Sequence, residues 1–166
     1  MKIILLGAGQ VGASVAENLV SEANDITMVD TDADHLATLR DRLDLRTVCG
    51  NAASPSVLKE AGAEDADLLI AVTQSDQTNL CACRIARTLF NLPTRIARLR
   101  SSDFVDHPEL LNLENFAVDF SICPEQIVTD YIRRLIEFPE ALQVVDFADG
   151  ALSLIAVRAF EGGPLV

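Results

Sequence analysis

Gly7-Ala8-Gly9-Gln10-Val11-Gly12 fits the pattern G-x-G-x-x-G. Such a loop can hold phosphate charge. Gly7 would make the tight turn, Gly9 would leave the backbone open to a pyrophosphate, and Gly12 would let the next helix pack close on a sheet. Free N–H groups at that helix start, aided by the helix dipole, attract the anion. The pattern alone is weak, because glycines can serve only a tight strand–helix turn. Its placement gives it weight: it follows one apolar run and precedes a second that ends at Asp30. Asp30 at that place accepts hydrogen bonds from adenosine ribose hydroxyls and repels a 2′-phosphate. Thr31 and Asp32 bring no compensating cation, so NAD(H) is favoured over NADP(H). Asp30 could instead cap the following helix, a role that Asp32 also fits. The same loop and acid would hold the phosphates of ATP or ADP.

These residues need a scaffold of strands and helices. Lys2–Leu6, Ile26–Val29, Leu45–Cys49, Asp67–Val72 and Arg95–Leu99 are short apolar runs that read as strands. Between them lie amphipathic stretches: Val11–Val20, Asp32–Leu43, a short helix opened by Ser54-Pro55, and one from Ser75/Asp76 to about Phe90. Ser54 is a candidate N-cap with Pro55 at the first helical position. Strands alternating with helices mean βαβ units and a parallel sheet covered on both faces. The expected fold is an α/β, Rossmann-like doubly wound parallel sheet over residues 1–122, with Val118–Ile122 as sixth strand.

Beyond Arg100 the pattern loosens, with one short helix expected within 101–116. Pro124 opens a helix to about Phe138. Its residues Ile127, Val128, Tyr131, Ile132, Leu135 and Ile136 form a broad apolar stripe. The stripe reads either as core or as a face for self-association. Leu142–Phe147 and Leu152–Val157 flank Asp149-Gly150, a hairpin signal. The division expected is therefore a nucleotide-binding domain (1–122), a crossover and dimerisation helix (123–140), and the start of a small α+β subdomain (141–166) that the chain does not complete.

Composition excludes several classes. The 166 residues carry 13 Lys+Arg against 25 Asp+Glu, a formal charge of −12. That argues against nucleic acid and against direct binding to anionic lipid. The excess is concentrated after residue 100, where 12 acids face 3 bases. No apolar run approaches a membrane span. Cys49, Cys81, Cys83 and Cys123 read as free, buried thiols of a reducing compartment. Cys81 and Cys83 lie two apart on a helix and point about 200° away from each other, so they cannot chelate one metal together.

The set Gly7–Gly12, Asp30, Gly50-Asn51-Ala52, Ala71-Val72-Thr73 and Arg98 resembles the RCK (KTN) domains that regulate potassium transport. The segments Thr73-Gln74-Ser75-Asp76-Gln77-Thr78-Asn79 and Ile96-Ala97-Arg98-Leu99-Arg100 are its more specific parts. The resemblance implies that Asn51 and Ala52 belong to the adenine side, where the family usually has Asp in place of Asn51. It implies that Thr73 and Gln74 contact the cofactor and that Arg98 reaches the phosphates, as a strand-end guanidinium can do bidentately. It also implies that the helix after the sixth strand packs on a partner domain. A membrane potassium transporter or channel subunit is the implied partner, with the chain cytoplasmic and held at the inner membrane through that protein.

Two readings compete. One is a nucleotide-sensing regulatory subunit, in which the ligand biases a conformational equilibrium. The other is the cofactor domain of an NAD-dependent dehydrogenase. Hydride transfer calls for acid–base groups, yet the only histidines are His35 and His107, the only lysines Lys2 and Lys59, and the only tyrosine Tyr131. None has an evident catalytic placement. The regulatory reading, with no catalytic residue and no metal, is therefore the expectation.

Overall fold

The computed structural model describes residues 1–20, 24–139, 141–147 and 151–159. Two compact units are present: Met1–Pro124, and a second from Glu125 onward.

In the first unit the chain alternates strand and helix: β1 (Lys2–Leu6), α1 (Gln10–Val20), β2 (Asp25–Asp30), α2 (Ala33–Arg42), β3 (Arg46–Cys49), α3 (Pro55–Glu60), β4 (Leu68–Ala71), α4 (Asp76–Phe90) and β5 (Thr94–Arg98). A short helix α5 (Ser102–Val105) and a 3-10 turn (Pro108–Leu110) lead to β6 (Phe120–Ile122). The six strands form one parallel sheet in the order β3-β2-β1-β4-β5-β6. This is the doubly wound order, and it reverses direction between β1 and β4. The expected Rossmann-like fold is borne out.

The period of two along β1 divides the core. Ile3 and Leu5 face the layer that holds Ala16, Leu36 and Leu39 of α1 and α2. Ile4 and Leu6 face the layer that holds Leu58, Leu80, Cys83 and Ala86 of α3 and α4. Both faces are therefore apolar and dry, which is why the strands read as continuous apolar runs.

Caps fix where the helices begin. Asp32 Oδ1 accepts the N–H groups of Asp34 and His35 at the start of α2. Ser75 Oγ accepts Thr78 N–H at the start of α4. Ser54 precedes α3 but makes no side-chain cap. Its hydroxyl pairs with that of Ser56 at 3.0 Å instead.

A charged group lies deep in this unit. Arg95, 2% exposed, bonds Asp119 through Nη2 at 2.6–2.8 Å and donates Nε–H to the Ala117 carbonyl at 2.6 Å. It also donates to the Leu92 carbonyl. The guanidinium thereby fastens the start of β5 to the approach to β6. Ala117, at φ +56°, sits in the left-handed region that this approach requires.

The expectation of four buried thiols is corrected. Cys83 is buried, Cys123 half-buried, and Cys49 and Cys81 are exposed. On α4, Cys83 faces the core and Cys81 faces out, as their angular separation dictates.

The second unit carries α6 (Pro124–Glu137) and an antiparallel pair, β7 (Ala141–Phe147) with β8 (Leu152–Val157), whose register shifts between Ala141 and Gln143. The stripe Ile127, Val128, Tyr131, Ile132, Leu135 and Ile136 on α6 is exposed. The Asp149-Gly150 turn and the tail from residue 160 lie outside the described residues.

Candidate functional site

In β1, Leu6 is level with Val29 of β2 and Ala71 of β4. The three strands therefore end together, and the loops that follow them open around a cleft of about 460 Å³ at the carboxyl edge, where the strand order reverses. That crevice is the ligand position favoured by open α/β sheets.

The glycine loop forms its floor. Gly7 has φ +105°, and a Cβ there would lie 3.0 Å from the Thr73 backbone. A Cβ on Gly12 would stand 1.8 Å from the Gly7 carbonyl oxygen, so the first turn of α1 packs directly on the loop. A Cβ on Gly9 would meet nothing within 4 Å, because that position opens into the cleft. The first bond of the helix runs from Ala13 N–H to the Gly9 carbonyl at 2.9 Å. It leaves the N–H groups of Gln10, Val11 and Gly12 as donors at the helix start.

Asp30 ties this loop to β2. Its Oδ2 accepts Ala8 N–H at 2.5 Å, and its Oδ1 accepts Asp32 N–H at 2.9 Å. Each carboxylate oxygen keeps a second lone-pair direction for a ligand hydroxyl. Beside it, Asp32 is held below the usual carboxyl range, chiefly by the His35 backbone N–H. The His35 ring lies 3.6 Å from Asp32.

On the far side, Thr73 follows β4. Thr73 N–H donates to Asn79 Oδ1 at 3.0 Å, and Thr73 Oγ1 lies 2.7 Å from the same atom. Asn79 Nδ2 donates to the Arg98 carbonyl at 2.8 Å. Asp76 Oδ2 accepts the N–H groups of Arg100 and Ser101, each at 2.9 Å. Two buried side chains on the first turns of α4 thus hold the segments that leave β4 and β5.

Of the residues singled out from sequence, the cleft brings together Gly7, Gly9, Asp30, Asn51, Ala52, Thr73 and Gln74. Ala8, Gln10, Val11, Gly12 and Arg98 are not part of its lining. Ala8 acts through the bond to Asp30, and Gly12 through its contact with Gly7. Asn51 Oδ1 accepts Ala53 N–H at 2.9 Å, a local turn that occupies one of its acceptor directions. Sequence reasoning missed Asp32, His35, Ser75 and Thr78 on the rim. It also missed the buried Asn79, whose only signal is its place in the Thr73–Asn79 segment. Among the described residues no group of three His, Cys, Asp or Glu side chains is arranged to hold a metal.

Comparison with known proteins gives a consistent picture. Residues 3–119 match the model of the TrkA-N domain. The whole chain is 58% identical to the Trk system potassium uptake protein TrkA of Vibrio alginolyticus and covers 36% of it. It therefore spans about a third of the length of the curated relatives it matches. Among solved structures, the GsuK channel bound to NAD superposes with TM-score 0.71 at 20% identity, over 89% of this chain and 25% of that one. GsuK bound to ADP gives 0.69 at 22% identity, over 84% and 35%. At such identities these two support the fold. The resemblance to the potassium-regulating RCK domains is borne out by the family match and by the identity along the whole of this chain. On that match the chain belongs to the TrkA-N domain family.

Proposed function

We propose that the chain is the nucleotide-sensing part of a regulatory subunit of a potassium-uptake system. It binds NAD(H) in the carboxyl-edge cleft and controls a membrane potassium transporter or channel through conformational change. The observation that carries this reading is the bond between Asp30 and the glycine loop at the point where the strand order reverses. It supports reading Asp30 as a ribose acceptor beside a pyrophosphate seat, the arrangement a dinucleotide needs. The relative named a potassium uptake protein supplies the system. GsuK, solved bound to NAD and to ADP, supplies the ligand class. The Gly7–Gly12 loop would hold the pyrophosphate, Asp30 the ribose, Asn51 and Ala52 the adenine side, Thr73 and Gln74 the second nucleoside, and Arg98 the phosphates.

The role is regulatory rather than catalytic. The ionisable side chains lining the cleft, among the described residues, are Asp30, Asp32 and His35, all on the β2 side. None faces the β4 side, where a nicotinamide would react. Membrane association runs through the protein partner; no helix among the described residues is long and apolar enough to cross a membrane. The exposed stripe of α6 serves self-association, burying apolar side chains against a second copy. A monomeric mass by sedimentation would remove that element.

An NADH fluorescence titration with NADPH and ATP as competitors tests the ligand. Saturable binding that ATP displaces poorly and NADPH barely affects supports the reading. Weak NADH binding with effective displacement by ATP favours the second reading, an adenine-nucleotide sensor on the same scaffold, which the ADP-bound GsuK structure also suggests.

A further inference from the structure

We infer that Asn79 is a positioning residue that sets the polarity of Thr73, so that the β4 side of the cleft takes a hydrogen-bond donor and disfavours a phosphate oxygen. This rests on the nucleotide reading above and adds to it which half of the ligand each side selects. Asn79 is completely buried. Its amide orientation follows from its backbone partners. Thr73 N–H, a donor at 3.0 Å, requires the oxygen. The Arg98 carbonyl, an acceptor at 2.8 Å, requires the nitrogen. The atom facing the Thr73 hydroxyl at 2.7 Å is therefore Oδ1, which can only accept. The hydroxyl proton goes to Asn79 Oδ1 as the nearer of two acceptors, the other being the Ser75 carbonyl at 3.2 Å, and the same hydroxyl oxygen accepts Ser75 N–H at 3.3 Å.

Thr73 lines the cleft across from Asp30. A ligand that reaches this hydroxyl meets an oxygen with a lone pair and no proton to give. A ribose hydroxyl or a carboxamide N–H is matched there. A terminal phosphate oxygen is opposed by like partial charge. A dinucleotide carries such donors on its second nucleoside, whereas a nucleoside diphosphate presents phosphate oxygens beyond its first. The Asp30 side serves both ligands equally, so the Thr73 side sets the preference between them.

The test is a titration of wild type and variants with NADH and with ADP, with thermal unfolding in parallel. Thr73→Val removes the hydroxyl at nearly constant shape. It should lower the NADH-over-ADP affinity ratio about tenfold, the weight of one lost hydrogen bond. Asn79→Leu removes the nearer acceptor and leaves the hydroxyl proton shared between the cleft and the Ser75 carbonyl at 3.2 Å, so the ratio should fall, by less than in Thr73→Val. Asn79→Asp, in its protonated form, keeps an acceptor for Thr73 and a donor for the Arg98 carbonyl, and at mildly acidic pH should hold the ratio near the wild-type value. Asn79→Ala replaces the leucine variant if that one does not fold. Asp119→Asn, at the opposite edge of the sheet, should lower the melting temperature and leave the ratio within twofold. A ratio within twofold of wild type in Thr73→Val overturns the acceptor assignment. A wild-type ratio in Asn79→Leu or Asn79→Ala overturns the role of Asn79. Failure of wild type to bind either nucleotide overturns the proposed function itself; binding of ADP alone overturns the NAD(H) reading and this inference with it; binding of both with an unchanged ratio in the variants overturns this inference alone.

Discussion

The Asp30 carboxylate accepts the Ala8 backbone N–H at 2.5 Å, across a separation of 22 residues in sequence. One side chain thus joins the end of the second strand to the glycine loop after the first, and its other oxygen holds the Asp32 N–H.

Removing that carboxylate should have two separate effects. Asp30→Ala should cost about 1–2 kcal/mol in urea unfolding, because two backbone donors lose a charged acceptor at a partly hydrated position. Asp30→Arg should further weaken NADH at least tenfold, as ribose acceptors are replaced by a bulky donor. Unaltered NADH affinity in Asp30→Arg would place the ribose elsewhere.

The loop glycines give a contrast between fold and site. Gly12→Ala puts a Cβ 1.8 Å from the Gly7 oxygen and should cost about 2–4 kcal/mol or prevent folding. Gly9→Asp meets open space and supplies a better N-cap for α1, so the melting temperature should hold or rise. Its carboxylate would occupy the proposed pyrophosphate seat, so NADH binding should vanish. A stable Gly9→Asp protein that still bound NADH would move the site out of this loop.

Arg95 and Asp119 are predicted to be unequal partners. Asp119→Ala leaves a guanidinium at 2% exposure without its carboxylate and should cost about 3 kcal/mol or more. Arg95→Met, which removes the buried charge itself, should cost less. Denaturant unfolding of the two single variants decides the order.

Thiol chemistry should follow burial. Burial pushes the Cys83 thiol up to about 12, from an ordinary value of 9.0. In the native protein at pH 8, iodoacetamide should label Cys49 and Cys81 and spare Cys83 until the chain unfolds, as peptide mass spectrometry can read. The folded state holds this proton more tightly than the unfolded one. Its contribution to stability is therefore complete below pH 9 and should be lost as pH rises from 9 toward 12.

The strands and the glycine loop were legible because their signals are local. A strand buried on both faces is apolar throughout, and a loop that must turn at φ +105° carries glycine. Asp30 was legible because it ends an apolar run. Arg95 and Asn79 were not, since a charged residue at the start of a strand and a polar residue on an amphipathic helix both read as solvent-facing. What takes them inside are partners 24 residues away at Asp119 and 19 away at the Arg98 carbonyl. Ser54 stands at the N-cap of α3 with Pro55 after it, as the sequence suggests, but its hydroxyl pairs with the neighbouring Ser56 in place of a backbone N–H.

The bonds among Ala8, Asp30 and Asp32 are made by the chain to itself, so the half of the cleft proposed for adenosine is a finished mould. Recognition there entails little ordering and should be fast. A mould that fits every conformer equally well carries no message, because a ligand held with the same strength in two states leaves their ratio untouched. On the proposed sensing role, information about which nucleotide has arrived would therefore enter on the opposite wall, where Asn79 spans the loops that leave β4 and β5. In that proposal the adenosine half is the address, and the β4 half is where the content is read.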